Sequence, residues 1–174
     1  MAGVDITEDL RIYPILTELV ECLRAALGDG APCFVGILMG PDVPAEYVGN
    51  CVDEDGEPSC GAAYVRLVGA YPTDNFPDPV QYPTCNMIMA YNVSIGILRC
   101  ASIGEDDGGP IDPAELEQSV LRGLSDMKAM RQAVQCCFQK AFPHVQTAMG
   151  VFTPLPNEGG VVGGEWPLIV GENY

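Results

Sequence analysis

The chain of 174 residues carries 24 acidic side chains against 8 basic ones, a formal net charge of −16. Gripping a nucleic-acid backbone takes clustered basic side chains, and the eight here, from Arg11 to Lys140, stand singly with no two adjacent. With 48% of its residues apolar the chain is no disordered acidic polymer, yet no apolar run reaches the roughly 18 residues of a membrane span.

The length suits one domain, 1–174, with enough chain for a sizeable core. The first thirty residues hold Asp5, Glu8, Asp9, Glu18 and Glu21 and lack a basic start followed by an apolar stretch, so synthesis and assembly in a cytoplasm are expected. Residues 1–13 read as a short arm. A helix then starts at Tyr13 with Pro14 at its first position, and Ile15, Leu16, Leu19, Val20, Leu23 and Leu27 mark one face at 3.6-residue spacing. Gly28, Asp29 and Gly30 stop it.

Cys33 to Met39 is a short apolar run bounded by turn residues and reads as a buried strand. Residues 40–61 form a long acidic loop whose centre, Asp53, Glu54, Asp55 and Glu57, must face water or a partner. Ala62 to Tyr71 is the second strand, with Val65 and Leu67 on one face and Tyr64, Arg66 and Val68 on the other. Pro72, Pro77, Pro79 and Pro83 exclude regular structure across a second long loop at 72–85. Asn86 to Cys100 is a long third strand: its odd positions, Met87 to Ile97, are bulky core partners, and its even positions, Asn92, Ser94 and Gly96, admit close packing or water.

Glu105, Asp106 and Asp107 lie in an acidic turn. Asp112, Pro113 and Glu115 then supply an N-cap, a first-position proline and an N3 acid, the strongest local signal in the chain. The helix they open runs to about Ala141, roughly 40–45 Å at 1.5 Å per residue. Its stripe of Leu116, Val120, Leu124, Met127 and Val134 predicts burial against the sheet. Gln146 to Phe152 is a fourth strand, 153–160 a loop, 159–164 a glycine-rich turn, and Gly164 to Val170 the last strand. The order is helix, three strands, long helix, two strands: an α+β fold with a mostly antiparallel or mixed sheet packed with two helices. Trp166, the only tryptophan, is either a core anchor of the closing strand or an anchor at a subunit interface.

Catalytic chemistry is sparse. His144 is the only histidine and follows Pro143 at a helix end. No serine has a nucleophile-elbow context, and no Walker lysine follows the glycines at 159–164. Asp53, Asp55 and Glu57 alternate as calcium ligands do, but the twelve-position register fails. No enzyme activity, no cofactor and no metal are expected. Eight cysteines are many for a reducing compartment. Cys22, Cys33, Cys100 and Cys136 fall in apolar patterns and read as small buried hydrophobes. A Cys51–Cys60 bridge fits sterically across a turn. Cys51, Cys60, Cys85 and Cys100 could share a zinc only if their loops converge, and no Cys-x-x-Cys pair exists.

Several segments together carry a resemblance: Gly61-Ala-Ala-Tyr-Val-Arg-Leu-Val68, Tyr71-Pro-Thr73, Phe76-Pro-Asp-Pro79, Asp126-Met-Lys-Ala-Met-Arg131, Cys136-Cys-Phe138, Thr153-Pro-Leu155 and Gly163-Gly-Glu-Trp166. Their order and spacing over residues 60–170 resemble head-to-tail connector proteins of long-tailed actinobacterial phages, in particular the tail terminators. The resemblance implies a virion protein of the tail-neck region, forming a homo-hexameric ring. That ring would cap the major tail tube protein and join it to the head-completion or stopper protein, with DNA passing non-specifically through its channel. A stopper or other connector protein is the neighbouring reading. The acidic loops at 53–57 and 105–107 would then line the channel, the outer surface or an interface. A small metal-binding protein or enzyme of unknown substrate is the alternative from another class, and the cysteine count is its support. A DNA-mimicking inhibitor would need acid arrayed along one face, and the long helix is not especially acidic after Glu117.

Overall fold

The computed structural model describes residues 11–43, 48, 51–52, 58–85, 87–100, 112–158 and 160–171. Helix α1, Ile12–Leu27, buries Ile12, Ile15, Leu16, Leu19, Val20, Cys22 and Leu23, the face its apolar spacing predicts. It ends at Gly28, whose φ of 54° lets its N–H turn back to the Arg24 carbonyl.

The main sheet contains β1 (Phe34–Met39), β4 (Gly61–Thr73), β5 (Ile88–Cys100), β6 (Gln146–Met149), β7 (Thr153–Glu158) and β8 (Val161–Gly171). Its order is β1-β4-β5-β8-β6, with β7 also paired to β8. The pairing of β1 with β4 is parallel and the other pairings are antiparallel, so the fold is α+β with a mixed sheet. A second, small antiparallel pair, β2 (Cys51–Val52) with β3 (Pro58–Ser59), lies in the segment expected to be loop.

The C-terminal strands depart from expectation. Residues 153–158 form strand β7 instead of a loop, despite Pro154 and Pro156. Among the described residues β7 pairs only with β8, so its outer side is an edge where a missing N–H breaks no ladder. Gly163 and Gly164 lie within β8 rather than in a turn before it. A Cβ at Gly163 would strike the Ile97 carbonyl of the neighbouring strand, and one at Gly164 would enter the Phe152 ring. These two glycines serve close approach, not chain reversal.

Alternation sorts the sheet's two faces. Ala63, Val65, Val93, Ile95, Ile97, Leu168 and Val170 meet α1 in the main core. Met130, Ala133, Val134 and Phe138 complete that core from the second long helix. Trp166 joins its margin, half-buried, with its ring edge-to-face on Phe152 at 5.8 Å and its Nε1 donating to the Gly150 carbonyl at 2.7 Å. On the opposite face Leu38, Val48, Ala62, Tyr64 and Leu98 form a smaller cluster.

Helix α2, Pro113–Gln132, starts as its sequence dictates: the Asp112 carboxylate accepts the Ala114 N–H at 3.0 Å and Pro113 follows the cap. It continues through a π-helical segment, Ala133–Phe138, to a last turn at Gln139–Ala141. Its stripe is buried only in the second half. Val134 is buried and Met127 half-buried, but Leu116, Val120, Leu121 and Leu124 are 50%, 62%, 59% and 52% exposed. The sequence pattern predicts the helix, but the expected burial of Leu116, Val120 and Leu124 against the sheet is overturned, because the first turns stand off the sheet across an open cleft of about 320 Å³ whose far wall includes Arg99, Leu155 and Val162. Where contact resumes, Arg99 on β5 grips Asp126 through two hydrogen bonds, 3.0 and 2.8 Å. Asp126 is buried but the Arg99 side chain is 24% exposed at the cleft, so Asp126→Ala is expected to cost about 1–3 kcal/mol through the lost charged hydrogen bonds, measured as a fall in denaturant midpoint.

Candidate functional site

The open face of the sheet carries a polar row built by strand register. Tyr64 on β4 lies opposite Gly96 on β5, which lies opposite Glu165 on β8. The absent side chain of Gly96 leaves room for the Tyr64 ring to lie across β5, and a Cβ there would enter that ring. The Tyr64 hydroxyl thereby reaches β8 and donates to Glu165 Oε1. One step along, Arg66 donates from Nη2 to both Glu165 oxygens at 2.7 and 2.9 Å. Its Nη1 donates to the carbonyls of Gly40 and Pro41, just past the end of β1. One carboxylate thus ties β4 to β8 across the intervening β5, and one guanidinium ties in the chain leaving β1.

Burial pushes the Tyr64 hydroxyl far above its ordinary range, and the hydrogen bond and negative charge of Glu165 push it further, against the opposing effect of Arg66. Tyr71 is raised as well, by burial first and by Asp78 second; its hydroxyl donates to the Pro77 carbonyl at 2.6 Å. A raised tyrosine pKa means that the folded chain keeps a proton the unfolded chain releases. The stability tied to Tyr64 is therefore complete below about pH 10 and is lost as pH rises above it. In a spectrophotometric titration at least one of the seven tyrosines should stay protonated until the chain unfolds. Tyr64→Phe should abolish that retained class. Gly96→Ala is expected to cost about 1–3 kcal/mol by overpacking, with the same loss of the retained tyrosine as the Tyr64 ring is displaced.

Beside this row an open depression of about 470 Å³ is lined by Arg66, Asn92, Ser94, Met149, Glu165 and Pro167, among others. Ser94 is 4% exposed, and among the described residues neither its Oγ nor Arg66 Nε has a hydrogen-bond partner. Arg66, held bidentate by a carboxylate, has little charge left for an anion. The row acts as a clamp across the sheet. No protein-family model matches the sequence, and a search of curated proteins finds no match.

The residues singled out from sequence fall partly inside and partly outside the described residues. Asp53, Glu54, Asp55, Glu57, Glu105, Asp106 and Asp107 lie outside the described residues, as does the side chain of Cys51. The expected Cys51–Cys60 bridge is overturned, because Cys60 is bonded to Cys100. Register is the cause: Gly61 pairs with Arg99, so the next residues outward on each strand, Cys60 and Cys100, face each other with Cα atoms 5.6 Å apart. Cys22, Cys33 and Cys100 are disulfide-bonded instead of free buried thiols, with Cys22 joined to Cys137. Cys136 is free but exposed, and Cys85 is also free and exposed. His144 is exposed in the turn after α2.

Sequence reasoning missed the clamp. Its signal was a single arginine inside the apolar run of β4, where a buried cation demands a counter-charge. The partner, 99 residues away, is set only by strand order.

Proposed function

We propose that this chain is a structural subunit that assembles with copies of itself into a ring in the neck of a long-tailed phage, as a tail terminator. The observation that carries the reading is the first half of α2. A well-capped amphipathic helix leaves Leu116, Val120, Leu121 and Leu124 at least half exposed, and such a contiguous apolar patch on an isolated subunit marks a surface that a partner covers. A closed ring needs two different faces per subunit. The half-buried Trp166 and the exposed Met39 and Val68 offer further apolar contact elsewhere on the sheet. The resemblance over residues 60–170 supplies the phage context, and the charge of −16 suits a channel that DNA must cross without sticking. Among the described residues no helix is long and apolar enough to cross a membrane.

The test is electron microscopy of the purified full chain, scored for rotational symmetry, together with binding to tail tubes. A closed ring that caps tube ends supports the proposal. A monodisperse monomer that ignores tube ends overturns it.

A further inference from the structure

We infer that, when its thiols are reduced, this chain holds a zinc-class cation between α1 and the π-helical end of α2, through Cys22, Cys137 and Glu18. The inference is independent of the assembly role. One ligand atom from each residue lies within 4.8 Å of the other two. Glu18 and Cys22 are four apart on one face of α1, with Glu18 Oε1 3.7 Å from Cys22 Sγ. A tetrahedral zinc shared by a thiolate and a carboxylate sets sulfur and oxygen about 3.5 Å apart, so this half of the site already has its spacing. The two sulfurs must stand about 3.8 Å apart around the ion. Cys137 is half-buried and can supply that change by side-chain rotation, while its Cα stays 5.6 Å from that of Cys22.

Two features give the cluster a purpose beyond a disulfide. The first is the carboxylate. A disulfide gains nothing from an acid held against it, and an unscreened acid opposes thiolate formation by charge repulsion. A divalent cation turns that repulsion into attraction and uses all three groups. The second is the helix itself. The π-helical turn widens at Ala133–Phe138, and there Cys137 meets Cys22 while Cys136 faces solvent. Such local widenings recur at functional sites. Two thiolates and a carboxylate suit zinc, where calcium or magnesium would take oxygen ligands alone. Three protein ligands leave a fourth position for water, and the partial exposure of Glu18 and Cys137 leaves a way in.

The chemistry balances. A phosphine reductant supplies two electrons and becomes the phosphine oxide, while water supplies its oxygen and the two protons that convert the disulfide to two thiols. Zinc then displaces both thiol protons and binds the Glu18 carboxylate. Oxidised protein cannot take the metal, so disulfide and metal exclude one another at this position.

The experiment is cobalt(II) titration of the full chain under a phosphine reductant, followed by zinc displacement and metal analysis after desalting. The reduced chain should bind one equivalent with a thiolate-to-cobalt charge-transfer band that zinc removes, and the oxidised chain should bind none at this position. Cys137→Ser should weaken binding on the order of 100-fold, since each ligand carries a large share of a structural zinc's affinity. Glu18→Gln, at a half-buried surface position, should weaken it about ten-fold. Cys60→Ser, Cys85→Ser and Cys136→Ser should leave the band unchanged. Circular dichroism checks each fold, and if Cys22→Ser fails to fold, Cys137→Ser and Glu18→Gln decide the matter. No band in reduced wild-type chain, a band that survives Cys137→Ser, one unaffected by Glu18→Gln, or one lost with Cys60→Ser or Cys136→Ser would each overturn the assignment.

Discussion

Glu165→Ala should lower the unfolding free energy by about 3–5 kcal/mol, because it leaves the Arg66 guanidinium buried without its counter-charge. The Arg66 and Glu165 side chains are only 8% and 19% exposed. Water from the adjoining open depression therefore replaces the lost carboxylate only in part. The Tyr64 hydroxyl loses its acceptor in the same substitution. Chemical denaturation read by circular dichroism measures the effect. A double variant, Arg66→Met with Glu165→Leu, should recover most of the loss, because removing both charges also removes their desolvation cost. If Glu165→Ala shifts the midpoint no more than an exposed control such as Glu117→Ala, the clamp is not a stabilising element. If the double variant is as unstable as the single one, the cost lies in packing rather than in charge.

Val120→Asp combined with Leu124→Asp should leave the subunit folded and weaken its self-association by about 100-fold or more. Both side chains are more than half exposed, so each replacement alters monomer stability by about 0.5 kcal/mol and the pair by about 1 kcal/mol. Placing two carboxylates in an apolar contact costs on the order of 2 kcal/mol or more at each well-packed position. Sedimentation velocity across a concentration series reads the association, and thermal melting of dilute protein reads the fold. Leu124→Ala alone should now be nearly silent in the dilute subunit, in contrast to the 2–5 kcal/mol that a core leucine would cost. Unfolding by the double substitution would move this stripe back into a core. Unchanged association would remove the first half of α2 from the assembly surface.

Trp166 gives both outcomes a shared optical readout. It is the only tryptophan, half-buried at the margin of the main core and hydrogen-bonded to Gly150. If β8 also joins the contact between subunits, assembly will shift its emission to the blue, and Val120→Asp with Leu124→Asp will cancel that shift.

Local chemistry settled much of this protein at the level of sequence. The 3.6-residue apolar spacing of Ile15 to Leu23 specified α1 and its buried face. Asp112 and Pro113 specified the start of α2, since a capping carboxylate and a proline without an N–H fit only there. Alternation along β5 specified which side chains enter the core, because a strand's side chains must point to opposite faces. Those signals act within a few residues and need no knowledge of the rest of the chain.

Tertiary structure decided what depends on distant partners. Periodicity marks a helix face as apolar but not what covers it, so the buried Val134 and the exposed Leu116, Val120 and Leu124 look alike in sequence. Cys60 pairs with Cys100 rather than with the nearer Cys51 because antiparallel register, not sequence separation, sets which thiols meet. Pro154 reads as a loop residue until β7 proves to be an edge strand. Arg66 announces a buried charge, but only the strand order β4-β5-β8, with a glycine in the middle strand, brings Glu165 and Tyr64 to it. In each case the deciding energy comes from side chains that meet only after the sheet has formed, and single-chain patterns carry no record of those meetings.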